Sequence, residues 1–124
     1  MIVALLLQLV PLSSFSADRS YIAIIIDDLG HDRRAGERAI NIQAHLTFAV
    51  LPKTQHAVRL ASYAHSAGKE VMVHLPMENT MNKPLGGLAL TRDLSEQDIA
   101  IVLDQAVRLV PFAKGINNHM GSSL

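Results

Sequence analysis

The stretch from Tyr21 to Gly30 constrains the fold most, because it joins an apolar run directly to a pair of acidic residues. The consecutive apolar or aromatic residues from Tyr21 to Ile26 are typical of a strand covered on both faces, as in a parallel sheet. Asp27 and Asp28 follow at the predicted end of that strand. Ligand sites in parallel α/β folds collect at the carboxyl ends of strands, so this position indicates a functional site. Regular strand geometry would point the two side chains in different directions, one to bind a metal and the other to handle a proton.

The rest of the chain alternates between predicted strands and predicted helices. The strands are predicted at residues 21–26, 45–51, 71–75 and 114–122, with helices ending near residues 43, 68 and 111. Thr54 and Ser95 are predicted helix caps, and residues 79–93 form a predicted surface loop over the site. This order predicts a parallel sheet with right-handed crossovers. The last strand has no helix after it, so we expect an incomplete domain whose C-terminal part is missing.

Composition narrows the classes of function. The chain has 124 residues, of which 49% are hydrophobic, and this suits a single ordinary domain. Its 11 basic and 11 acidic residues give a net charge of zero without a basic block, which argues against a nucleic-acid partner. Cysteine is absent, so disulfides, thiolate zinc sites and cysteine nucleophiles are excluded. Histidine and carboxylate side chains remain as the strong metal ligands.

The first residues resemble a secretory signal peptide over residues 1–17. An apolar segment, Ile2 to Val10 with one Gln, precedes small residues that suit cleavage near Ser16 or Ala17. The segment is too short for a stable membrane span, which needs about 20 apolar residues. A buried first strand or helix is the alternative, since periodicity does not separate these for a short apolar run. The first interpretation predicts a secreted or periplasmic protein.

Chemically useful side chains recur at three predicted strand ends. Asp27 and Asp28 end the first strand, His74 lies at the end of the third, and His119 at the end of the fourth. One Asp with two His is a good ligand set for zinc or another divalent metal, and the spare carboxylate would act as a general base. Such a metal would acidify water to a pKa of about 7 and polarise a carbonyl. The alternatives are purely structural roles: the Asp pair could cap a helix or turn, and the histidine could be a hydrogen-bonded core residue.

Three motifs resemble the divergent polysaccharide deacetylases, a branch of the polysaccharide and chitin deacetylase-like superfamily. They are Ile26-Asp27-Asp28-Leu29-Gly30, His74-Leu75-Pro76-Met77-Glu78 and Gly115-Ile116-Asn117-Asn118-His119-Met120-Gly121-Ser122. The resemblance implies a parallel-stranded α/β fold, a partial (β/α) barrel with about four of about seven strands in residues 18–124. It also implies secretion and metal-dependent removal of acetyl groups from a carbohydrate substrate.

Carried over by position, the resemblance implies a role for each site residue. Asp27 is the catalytic base, and Asp28, His74 and His119 bind the metal, which we expect to be zinc. The wider superfamily usually places both metal-binding histidines in one motif on the third strand, whereas His119 here follows a different strand. Asn117 and Asn118 are predicted to support these residues by hydrogen bonds or to bind sugar hydroxyls.

The leading hypothesis is therefore a deacetylase that acts on an envelope polysaccharide. Two alternatives stay open. The first is a non-catalytic envelope protein that keeps the barrel and binds glycan or a protein partner. The second is an inactive truncated fragment.

Overall fold

The computed structural model describes residues 20–124, so the predicted signal peptide at 1–17 lies outside the described residues. The strands are β1 (Ile25–Leu29), β2 (Thr47–Val50), β3 (Glu70–Met77) and β4 (Ala113–Met120), and the helices are α1 (Arg33–Ile40), α2 (Ala57–Ser66) and α3 (Glu96–Leu109). Within residues 20–124, no helix is long and apolar enough to cross a membrane.

The strands form one parallel sheet in the order β1-β2-β3-β4. Each pair of neighbouring strands is joined through one helix, which confirms the predicted α/β class. The sheet is open over the described residues, because β1 and β4 are its two edges. All carboxyl ends lie at one edge, as a parallel sheet requires.

The hydrophobic core lies between the sheet and its helices. Phe48 and Val50 of β2 pair with Val71 and Val73 of β3, and all four side chains are buried. They belong to one apolar cluster with Leu60, Ala61 and Ala64 of α2 and Ala106 of α3. The buried residues of α2 recur at positions i, i+3, i+4 and i+7, and this spacing places them all on the face that packs against the sheet.

The opposite face of the sheet carries a different set of side chains. Because residues alternate along a strand, Ala49, Met72 and His74 share the face that Phe48, Val71 and Val73 do not use. A flat sheet would separate β1 from β4 by three strand spacings, or about 14 Å. Asn117 of β4 nevertheless donates a hydrogen bond of 2.9 Å to Asp27 of β1. The sheet therefore curls toward this face. The small side chain of Ala49, a single methyl group, allows β2 to lie at the bottom of the curve.

Two local predictions differ from the structure. The run from Tyr21 was expected to be covered on both faces, but β1 begins only at Ile25, and Ile22 is 90% exposed. The reason is that β1 is an edge strand, with a neighbour on one side only among the described residues. Thr54 does not cap α2, because its hydroxyl donates to Leu51 O and His56 occupies the cap position.

The predicted cap of α3 is confirmed. Ser95 Oγ accepts a hydrogen bond from the Asp98 backbone N–H at 3.2 Å, which satisfies one of the unpaired donors at the helix start. Asp32 caps α1 in the same way, and the Ala35 N–H donating to its carboxylate lowers the pKa of Asp32. These caps fix where α1 and α3 start.

Gly36 tests the contact between α1 and α2. A Cβ atom at this buried position would lie 2.6 Å from Leu60 Cδ1, and Leu60 is itself fully buried. Ala should gain about 1 kcal/mol in helix propensity over Gly, but overpacking typically costs about 1–3 kcal/mol. We expect Gly36→Ala to lower the free energy of unfolding by roughly 1 kcal/mol in urea titrations.

Gly87→Ala is the matched control, because a Cβ there would meet only the Lys53 side chain at 3.5 Å, an ordinary contact. Its free energy of unfolding should change little. A stabilised Gly36→Ala protein would show that α1 and α2 can separate without cost, which contradicts the packing described above.

Candidate metal centre

Three potential ligand atoms form a small triangle at the carboxyl edge of the sheet. Asp28 Oδ1 lies 3.2 Å from His74 Nε2 and 3.0 Å from His119 Nδ1, and the two nitrogens are 3.1 Å apart. His74 is buried with 4% of its side chain exposed, whereas Asp28 is 65% exposed. The cluster thus has a buried side formed by the sheet and an open side that solvent or a ligand can reach.

The register of β3 and β4 brings the two histidines together. His74 pairs with Asn117, and Pro76 pairs with His119. Positions two apart on a strand share a face, so His74, Asn117 and His119 all project to the concave side. The imidazole rings of the histidines meet edge to face, with centroids 4.9 Å apart.

A β-bulge brings both acids of β1 to the same site. Ile26 pairs with Phe48 and Leu29 with Val50, so β1 has one residue more than β2 over this interval. Asp28 takes a left-handed backbone conformation with φ of 63°, which is uncommon for a residue other than glycine. The regular alternation of side chains fails here. Asp27 and Asp28 therefore face opposite nitrogens of the His74 ring, Asp27 Oδ1 at 3.9 Å from Nδ1 and Asp28 at Nε2.

Asn117 connects Asp27 with His74. Its Nδ2 donates to Asp27 Oδ1 at 2.9 Å, and its Oδ1 lies 2.9 Å from His74 Nδ1. An ionised carboxylate only accepts hydrogen bonds, so the amide nitrogen must face Asp27 and the amide oxygen must face the imidazole. His74 Nδ1 then donates to the amide oxygen, and in the neutral ring this leaves the lone pair on Nε2, which points toward Asp28 and His119. This is the tautomer that a metal ligand requires.

Two further polar residues lie around this centre. Asn118 projects to the opposite face of β4 from Asn117, and its Nδ2 donates to Met120 O at 2.7 Å in the turn that ends the strand. Its predicted supporting role stays a prediction. His31 lines a neighbouring cavity together with His119 and is not one of the three clustered residues.

Two residues that sequence reasoning missed shape the surroundings. Lys53 follows β2 and lines the cavity beside His119, a place that the strand-end rule already indicated. Buried Asn79 organises the loop after β3, since its side chain accepts from the backbone N–H groups of Met81 and Lys83 and donates to Lys83 O. An Asn after a strand is an ordinary turn residue, so its sequence gave no distinct signal.

The donor atoms fit a divalent metal. Tetrahedral zinc with bonds of about 2.0–2.1 Å to nitrogen and oxygen ligands separates these ligands by about 3.3 Å. The three distances of 3.0, 3.1 and 3.2 Å approach this value without rearrangement of the backbone. Two imidazole nitrogens and one carboxylate oxygen also leave room for further ligands, as catalytic zinc sites do.

The fold and this cluster together define a class of protein, the parallel α/β proteins with a candidate metal site at the carboxyl edge of the sheet. The chain belongs to the divergent polysaccharide deacetylase family, whose sequence profile matches residues 24–124. The matched range contains all of the motifs on which the resemblance was based.

Two similar proteins carry no assigned activity in their names. The chain is 39% identical over 103 residues to the uncharacterized protein YibQ of Escherichia coli K12, covering 83% of this chain and 32% of that protein. It is 28% identical over 111 residues to an uncharacterized protein of Haemophilus influenzae, covering 90% of this chain and 40% of that protein. The chain thus spans about a third of the length of the first relative and two fifths of the length of the second.

A solved structure has the same fold. The crystal structure of the uncharacterized protein ATU2773 from Agrobacterium tumefaciens C58 superimposes with a TM-score of 0.73 at 19% sequence identity. The match covers 82% of this chain and 42% of that chain. At this identity the likeness supports the fold alone.

The left-handed conformation of Asp28 gives a test of the bulge. In an ordinary strand, Gly is less stable than Ala by about 0.5–1 kcal/mol, but a left-handed backbone costs an Ala roughly 1–2 kcal/mol. We therefore expect Asp28→Gly to be more stable than Asp28→Ala in metal-free buffer, by roughly 1 kcal/mol in urea unfolding.

Ile25, in the same strand and with φ outside the positive range, is the matched position. There the order should reverse, with Ile25→Ala more stable than Ile25→Gly. The same order at both positions would show that β1 has no bulge at Asp28.

Proposed function

We infer that this protein is the metal-binding part of a carbohydrate deacetylase, a hydrolase that removes acetyl groups from an envelope polysaccharide. The observation that carries the proposal is the near-equilateral triangle of Asp28 Oδ1, His74 Nε2 and His119 Nδ1. The family membership supports the same activity. The proposed ligands are these three residues, the proposed metal is zinc, and Asp27 is the proposed base.

The metal would supply two effects, polarising the acetyl carbonyl and lowering the pKa of a water molecule to about 7. Asp27 is suited to accept the proton of the attacking water, since its carboxylate is 46% exposed and borders the cluster. The hydrogen bond from Asn117 keeps Asp27 in position and leaves its other oxygen free of hydrogen bonds to described side chains. The same bond keeps Asp27 on the Nδ1 side of the His74 ring, whereas Asp28 lies on the Nε2 side. Because the ring separates the two carboxylates, they can have different roles.

The proposal extends to where the protein acts. A signal peptide over residues 1–17 would direct the chain out of the cytoplasm, to the periplasm or beyond, where envelope polysaccharide is accessible. The concave face, with its open acidic side, is the proposed contact surface for a glycan.

Metal titration tests the ligand assignment. We expect the purified full chain to bind one zinc ion, and His74→Ala, His119→Ala and Asp28→Ala each to weaken binding by at least about 100-fold, because each removes a direct ligand. Asn117→Leu should weaken binding by about 10–100-fold, because without the amide oxygen His74 can carry its proton on either ring nitrogen. Competition with a chromogenic chelator gives the affinities.

His65→Ala is the control, because His65 is exposed and stacks on Phe112 with ring centroids 4.0 Å apart, outside the cluster. Its zinc affinity should match that of the wild type. Equal zinc binding by wild type and His74→Ala would rule out the proposed centre.

Asp27→Asn separates catalysis from binding. We expect this variant to keep its zinc affinity within a few fold and to lose about 10²–10⁴-fold in acetate release from acetylated glycan, because an amide cannot accept the proton. Acetate is measured enzymatically with a protein that spans the full length of the relatives, and Asp27→Asn is compared with Asp32→Asn. Asp32 caps α1, and Asn caps helices as well as Asp does, so this control should retain activity.

The same measurements distinguish the deacetylase from the non-catalytic alternative. Glycan binding without acetate release, unchanged in Asp27→Asn, would identify a glycan-binding protein that keeps the barrel. Loss of activity in Asp32→Asn to the same degree would show that the effect reflects loss of a surface charge and not a base at Asp27.

A further inference from the structure

A cavity of about 270 Å³ adjoins the candidate metal centre through His119. Its walls come from five segments, namely the turn after β2, Pro76 in β3, the loop at residues 84–88, His31 after β1, and the end of β4 at His119 and Met120. Buried apolar side chains form much of the lining: Leu51, Pro52, Pro76 and Leu88. Small-molecule sites combine such apolar walls with a few well-placed polar groups, and this volume is close to the lower limit of about 300 Å³ for ligand pockets.

Lys53 supplies the charged group of this cavity. Its backbone is left-handed, with φ of 58°, a conformation that costs about 1–2 kcal/mol in a residue with a side chain. Its Nζ donates to Gly87 O at 3.1 Å, which ties the turn after β2 to the loop at 84–88. An ammonium group has three donor hydrogens, so two remain for another acceptor.

The positive charge of Lys53 has no acidic partner within residues 20–124. The ion pairs among these residues that involve a lysine or an arginine all use arginine. No carboxylate oxygen of the described residues lies within 4.0 Å of Lys53 Nζ. An exposed cation that lines a cavity without a carboxylate partner is suited to an anionic ligand. The apolar and proline-rich walls suit the carbon face of a sugar ring.

We propose that this cavity is a subsite for an acidic sugar residue, whose carboxylate or phosphate binds Lys53 while its ring packs on Pro52 and Leu88. The assignment as a substrate subsite rests on the proposed deacetylase function, whereas the affinity for an acidic sugar does not. The position beside His119 would place the acidic residue next to the acetyl group that is hydrolysed. The substrate class is thus an acetylated, anionic glycan.

Three related monosaccharides test this on the full chain by NMR titration. N-acetylmuramic acid differs from N-acetylglucosamine by a carboxylate-bearing ether group, and N-acetylglucosamine 6-phosphate carries a phosphate instead. We expect one or both acidic sugars to bind about tenfold more tightly than the neutral sugar in low salt, because hydrogen bonds to charged groups are the stronger ones. Which acidic sugar binds identifies the source of the charge. Equal affinity for all three overturns the proposal.

Substitutions locate the effect at Lys53. Lys53→Met should abolish the preference for acidic sugars, Lys53→Arg should keep it, and Lys114→Met, at the other end of the sheet in β4, should leave it unchanged. Should Lys53→Met fail to fold, the wild type decides, because the amide signals of Gly87 and Leu88 must shift with the acidic sugar. Shifts confined to other regions overturn the proposal.

His74→Ala separates this proposal from the proposed metal function. The variant should lose zinc but keep the preference for acidic sugars. A preference that disappears with the metal would show that the anion binds the metal centre and not Lys53. A preserved preference, together with no acetate release by an unmutated protein that spans the full length of the relatives, would leave the subsite standing and refute the deacetylase.

Discussion

The hydrogen bonds that Asn117 makes to Asp27 and His74 connect elements that the sheet alone would keep apart. Asp27 belongs to β1 and Asn117 to β4, the two edges of the sheet, with β2 and β3 between them. The contact requires the concave face to close over these strands, and the same amide fixes the tautomer of His74. The curvature of the sheet and the availability of the His74 Nε2 lone pair therefore both depend on the side chain of Asn117. A change in the curl of the sheet would alter both the spacing and the chemistry of the centre.

Backbone conformation at the end of β1 completes the centre at a cost in stability. A regular strand would place only one of two adjacent acids on the concave face, and the bulge with a left-handed Asp28 places both there. Such conformations persist where surrounding structure fixes them, and they concentrate at functional sites. Gly30 contributes to this arrangement, because its φ is 134° and a Cβ would collide with the Thr54 hydroxyl. The segment from Asp27 to Gly30 is therefore determined by the site it forms as well as by strand propensity.

The sequence predicted the order of the elements and the edge of the sheet where the site lies, because both follow from local patterns. Apolar runs, turn residues and the Ser95 cap act over a few positions, and the carboxyl ends of parallel strands share one edge. The alternation of side chains also separates Asn117 from Asn118 once His119 is placed on the concave face, although both were predicted to support the site. The bulge was beyond local reasoning, since it depends on the pairing of β1 with β2. The exposure of β1 has a similar origin, because an apolar run does not indicate whether a second neighbour lies beside it.

Lys53 shows why a site can extend beyond the residues that bear the chemistry. Acids and histidines at strand ends suit metals and proton transfer, and the end of β2 carries neither. It carries instead a lysine whose left-handed backbone directs the turn toward the loop at residues 84–88. The strand-end rule concerns position and not residue type, so it applies to Lys53 as fully as to Asp28. Four neighbouring strands then contribute in series along one edge: two acids from β1, a cation after β2, and one histidine each from β3 and β4. A glycan that lies along this edge would meet the cation and the proposed metal centre together. Under the proposed function, the charge of the substrate, and not only its acetyl group, would then determine binding.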